Sequence, residues 1–241
     1  MKKVFLAIFF LWIIPIGTIR ADLVWEEIKK DGKQEQVKKF WLKANLMRID
    51  LTGPAWSYYY NLENHCLIVL ARDKNRFRFL DWKELNRALA EHNQIKRKMI
   101  TEQKFLLEKS PKDFFWLDPF GLEPIFFCSE LFKIRSTGKV KNFDSIRAVE
   151  YLLECGNQAQ ARVWSPILAE PIPDWERFKS ELKWLAIDRY RFYYSLPVYP
   201  VLIQSPKEQN LSYEIKILST DDIPLEIFLI PESAKPELEL N

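Results

Sequence analysis

The sequence is short of the residues that most often carry chemistry and tight turns. It holds six glycines, three cysteines and two histidines in 241 residues. With so few glycines there is no Gly-rich phosphate loop, and no G-x-S-x-G elbow or H-E-x-x-H pair occurs either. His65 and His92 stand on different predicted elements, and the acids mostly alternate with Lys and Arg on charged faces, so no catalytic residue is nominated. The cysteines, Cys66, Cys128 and Cys155, include no C-x-x-C and no histidine at ligand spacing, so neither a metal site nor a cofactor is expected. Any one pair of the three could bridge and leave an odd thiol, and Cys155, at the end of an alternating run, reads as a buried apolar thiol.

Long apolar runs are also missing. The longest, Val4 to Ile14, has eleven residues. A spanning helix needs roughly 20. It follows Lys2 and Lys3 and precedes Pro15, Gly17 and the small Ala21, which is the pattern of a secretory signal peptide over residues 1–21 with cleavage after Ala21. The expected location is the periplasm or the medium, with no stable membrane span after cleavage. Removing Lys2, Lys3 and Arg20 from the 36 basic residues leaves 33 of each sign, and this balance excludes an argument for nucleic acid.

What the chain has is strand signal. LVWEEIKK, EQVKKFWLKA, NLMRIDL, WSYYYN, HCLIVLA and RFRFL follow one another between Asp22 and Asp81, with turns at Gly32, Thr52-Gly53-Pro54, Asn61 to Asn64 and Asp73 to Asn75. This spacing predicts an antiparallel meander with one greasy face. Asp81-Trp82-Lys83-Glu84 has the spacing of a capped helix start, and Leu85, Leu89, His92, Met99 and Leu106 place a helix over about 82–109. Residues 110–130 form an aromatic, proline-stiffened loop. Strands return at LFKIRSTGKV, SIRAVEYLLEC and QARVWS, with turns at Gly138 and Gly156-Asn157. A second helix is predicted over 174–193, then strands VLIQS, SYEIKIL and EIFLIP, and a frayed tail over 232–241. The order favours an α+β class over a doubly wound one, with residues 22–241 as a single domain.

FWLKANLMRIDL (Phe40 to Leu51), then YYYN and HCLIVL, resembles the opening of LolA/LolB-type domains. The STGKV, RAVEYLLEC and ARVWS succession resembles a group of secreted bacterial domains of unknown function in that superfamily. The resemblance implies a mostly antiparallel, incomplete β-barrel covered by helices and the aromatic loop. It also implies a cavity for an acyl chain or other amphiphile, as in envelope lipid or lipoprotein transport. Phe40, Leu42, Met47, Ile49, Tyr58, Tyr60, Phe77 and Phe79 are the candidate lining residues, with the two tyrosines suited to a polar rim. The Arg-Pro that follows the first strand in lipoprotein carriers is replaced here by Lys43-Ala44. The expected function is therefore a non-enzymatic binding protein for a hydrophobic or amphiphilic ligand. The rival is an envelope interaction or sensor module with a filled core, docking a protein through the loop 114–127 or a sheet edge.

Overall fold

The computed structural model describes residues 22–53, 55–101, 128, 132–167, 179, 192–193, 195–196, 198–207 and 210–236. Six strands come first: β1 (Leu23–Asp31), β2 (Gln34–Lys43), β3 (Leu46–Leu51), β4 (Trp56–Asn61), β5 (Cys66–Ala71) and β6 (Arg76–Leu80). Helix α1 (Trp82–Thr101) follows, then β7 (Lys133–Phe143), β8 (Ile146–Cys155), β9 (Gln158–Pro166), β10 (Leu202–Gln204), β11 (Leu211–Ser219) and the two-residue β12 (Lys235–Pro236). All join one open sheet in the order β12-β6-β5-β4-β3-β2-β1-β11-β10-β9-β8-β7. Every pairing is antiparallel except that of β12 with β6.

The chain is therefore mostly β, and the expected α+β half-barrel covered by helices is not what forms. The first meander (β1–β6) and the second (β7–β11) meet edge to edge through β1 and β11, so their strands extend one sheet instead of leaving a short one for helices to roof. An unclosed sheet is the part of the expectation that persists. Among the described residues α1 is the one α-helix assigned as an element; Leu85 and Leu89 bury against the sheet as the stripe required, while Leu106 lies outside the described residues. Asp81 caps α1 by accepting the Glu84 amide at 2.8 Å. The aromatic loop 114–127 lies outside the described residues, and so does most of the predicted helix 174–193.

The turns solve the shortage of glycine with other residues. Ala44, His65, Asn75 and Asp144 take left-handed conformations, with φ of 48°, 51°, 52° and 51°. Ala44 and Asn45 form the two-residue link between β2 and β3, and a proline, held near φ −65°, could not stand at position 44. The Arg-Pro of the lipoprotein carriers is thus incompatible with this turn. Gly138 (φ 74°) is not at a turn as expected but inside β7, where Ser136 pairs Tyr151 and Val140 pairs Val149, so three residues bulge opposite Glu150. The turn itself is made by Asp144 and Ser145.

The C-terminal part departs most from expectation. EIFLIP is not a strand: Leu225–Phe228 is a 3₁₀ turn, following Pro224, whose missing amide and fixed φ suit a turn better than a ladder. Nor is the whole tail frayed. Residues 220–236 run as a strap across one face of the first meander and end as β12, while 237–241 lie outside the described residues. Cys155 is not a lone thiol either: it bonds Cys128, with Cα atoms 5.5 Å apart, and Cys66 is the free cysteine.

Closing a loop of 27 residues stabilises a folded chain by about 3–4 kcal/mol in the chain-entropy treatment. Replacing both Cys128 and Cys155 by serine should lower the free energy of unfolding by that order. Denaturant melts of the two proteins measure it, and an unchanged midpoint would show that the bond contributes nothing.

Candidate functional site

Strand register sorts the side chains. On the inner face, the one α1 covers, Trp25 pairs Phe40, Phe40 pairs Ile49, Ile49 pairs Tyr58 and Tyr58 pairs Val69. A second row runs Leu23, Leu42, Met47, Tyr60, Leu67 and Leu80. Six of the eight candidate lining residues (Phe40, Leu42, Met47, Ile49, Tyr58 and Tyr60) therefore share one patch, each between 0% and 2% exposed. Trp25 and Phe40 stack with centroids 4.5 Å apart. The other two candidates are separated from them. Leu80 is buried in the inner row, so the period of two sends Phe79 and Phe77 to the outer face, paired with Ile68 and Leu70, and Phe79 is 51% exposed. Arg78 and Arg76 take the inner positions at the sheet's end instead.

The inner face also holds charge that sequence reasoning passed over. Glu27 is fully buried, lies 3.6 Å from Lys38 across the β1–β2 pair, and accepts a hydrogen bond from the Tyr193 hydroxyl. The signal for it is parity: Glu27 lies two residues on from Trp25 and four from Leu23, and Lys38 two before Phe40 and four before Leu42, so each shares their face. The charged look of EEIKK and VKKF hid that both members face inward. Tyr213, the next inward position along β11 from Ile215 opposite Glu27, is buried on the same face. Near the covering residues, Tyr199 has its hydroxyl pKa pushed up by burial.

The outer face carries a second polar centre. Arg48 lies over the rings of Trp41 and Tyr59, at 5.2 Å and 5.1 Å, and grips Asp50 through two hydrogen bonds of 2.9 Å and 2.7 Å. Its remaining nitrogen donates to the Ile227 carbonyl of the strap at 2.6 Å. Desolvation raises the Tyr59 pKa beside it, with Arg48 pulling the other way. Cys66, half-buried on β5, is likewise pushed up by burial. The strap is latched where it starts: Asp22 accepts the Ile223 amide at 2.7 Å, and Lys43 bridges Asp22 and Asp222 at 2.8 Å and 2.5 Å. At its far end Asn75 donates to the Ser233 carbonyl and accepts the Lys235 amide. The hydrogen bond from Lys43 holds the Asp222 carboxyl below its ordinary range, and the bonds to Asp22 and Asp222 raise Lys43.

No group of three or more metal-binding side chains occurs among the described residues, and no helix there is long and apolar enough to cross a membrane. No protein-family model matches the chain, and no curated protein sequence does. Among solved structures the chain is similar to an uncharacterized conserved protein from Thermus thermophilus, at TM-score 0.43 and 9% identity over 91% of each chain. It is also similar to PNGF-II, at TM-score 0.33 and 6% identity over 90% of this chain, which spans about a third (32%) of the length of PNGF-II. Neither likeness reaches the level at which it bears on function, and neither is described as a LolA/LolB-type domain.

Two outcomes are expected. Lys38→Met removes the ammonium 3.6 Å from the buried Glu27 carboxylate and should cost about 3–5 kcal/mol in equilibrium unfolding, whereas Glu27→Leu combined with Lys38→Met should recover most of that; equal losses would refute the pairing. The strap latch depends on an Asp222 carboxylate whose pKa is lowered by folding, so its contribution is full above the ordinary carboxylate range and fades as pH falls through about 4 and lower. Amide exchange over residues 222–236, corrected for intrinsic rates, should lose protection on that acid limb, and Asp222→Asn should remove the dependence.

Proposed function

We propose that this is a non-catalytic interaction module of an exported protein, with a filled core and a protein partner at its surface. Packing carries the reading. Phe40, Leu42, Met47, Ile49, Tyr58 and Tyr60 are each only 0–2% exposed, so their surfaces are already taken up by neighbouring side chains at the density of a packed interior. α1, Phe192 and Leu196 fill the interior above them. An acyl chain on this face would have to lift that cover and replace each contact it displaced. The Cys128–Cys155 bond suits an oxidising compartment, in keeping with export by the predicted signal peptide.

The amphiphile reading has one observation of its own, the Glu27–Lys38–Tyr193 group, a buried polar pole that could face a head group. The superfamily resemblance supports the same reading. The same experiment separates the two. Residues 22–241, secreted from a bacterial host and sprayed under native conditions, should give the bare chain mass, and added fatty acids or an environment-sensitive apolar dye should not bind. A discrete extra mass released as a fatty acid or phospholipid on denaturation would overturn the interaction reading and establish the carrier.

A further inference from the structure

The sheet has two ends and treats them differently. At β6 the chain covers its own edge, with Lys235 and Pro236 pairing Arg76 and Phe77. At the other end β7 pairs β8 on one side and, among the described residues, nothing on the other. β7 is also the longest strand, eleven residues, and its side chains are exposed along almost its whole length. It carries Lys133, Arg135, Lys139 and Lys141 and no acid. Arg135 is drawn back to Glu154 at 3.0 Å and Lys139 to Glu150 at 3.6 Å, which leaves Lys133 and Lys141, one on each side of the bulge, in no ion pair among the described residues, although Lys133 stands opposite Glu154 in the ladder.

Taken alone, cations and a bulge on an edge are devices against aggregation. They act selectively. Two copies of β7 laid edge to edge would bring these like charges together, so the edge rejects its own kind, while an acidic strand meets opposite charge at the same positions. Exposed Val140 and half-buried Ile134 alternate with the lysines and offer apolar contacts on the opposite side of such a strand.

We propose that β7 is the docking edge of the module, and that its occupant is an extended segment of a partner protein in which acidic residues alternate with apolar ones, added as a further strand. The proposal rests on the interaction reading above and gives it a site. Main-chain hydrogen bonds would supply affinity and the lysines would set the choice of sequence and its direction.

The test uses the mature chain and two capped decapeptides, one alternating glutamate with valine and one alternating lysine with valine. The acidic peptide should bind, weaken with salt, and protect the amides of residues 133–143 from exchange. Lys133→Glu combined with Lys141→Glu, at exposed positions outside the core, should weaken that peptide by at least about tenfold and bring in binding of the lysine peptide. If the acidic peptide binds but protects residues elsewhere, or the double variant binds it unchanged, the β7 site is overturned while the interaction reading stands. If neither peptide binds and the native spectrum carries a lipid mass, both fall; if neither binds to a bare, correctly melting chain, the β7 proposal alone falls.

Discussion

The pairing of β1 with β11 is the constraint on which the rest of the sheet depends. Eight residues of β1 register against β11 on one side while the whole strand registers against β2 on the other, so the first strand of the domain is central and joins two meanders that otherwise share no ladder. Because the partners lie 180 residues or more apart along the chain, as Lys30 and Glu214 do with 184 between their numbers, closing this contact has a large entropic cost. What offsets it is continuity. Once β11 is beside β1, Ile215 and Tyr213 extend the inner face from Glu27 toward Ile203 and Val163, and a single core spans both halves.

The strap belongs to the same economy. It leaves β11 at Ser219, crosses the outer face of the first meander and reaches the edge at β6, so one segment is tied to Asp22 just ahead of β1, to β3 and to β6. Most of its contacts use its own backbone, at Ile223, Ile227, Ser233 and Lys235, and Ile223 is its one deeply buried side chain. Leu225 and Leu229 remain exposed, which places the strap's role in covering polar groups and an edge rather than in adding to the core. Arg48 shows the economy at one atom group: its guanidinium satisfies Asp50, stacks on two rings and still holds the Ile227 carbonyl.

Much of the first meander was legible because period two and polar turns describe most of it. Strands from Leu23 to Leu80 fall where LVWEEIKK through RFRFL place them, and Phe40, Leu42, Met47, Ile49, Tyr58 and Tyr60 share the face that alternation gives them. RFRFL failed because three apolar residues in five satisfy both parities, and only the burial of Leu80 against Leu67 decides between them. EIFLIP failed because an apolar run between two prolines is as good for a strap as for a strand. Fold class was lost at a longer range: alternation identifies strands but not which edges meet, and the β1–β11 junction is what turns two modest sheets into one. Glu27 was hidden for an opposite reason, since a charge next to other charges looks solvated until its register is known.

The central place of β1 also orders events in time. β1, the earliest strand of this sheet in chain order, cannot be walled in on both sides until Ser219 has followed it, nearly two hundred residues later. Until then the β1 edge of the N-terminal meander lacks its β11 partner, while α1, which ends at Thr101, already supplies Leu85 and Leu89 to the inner face.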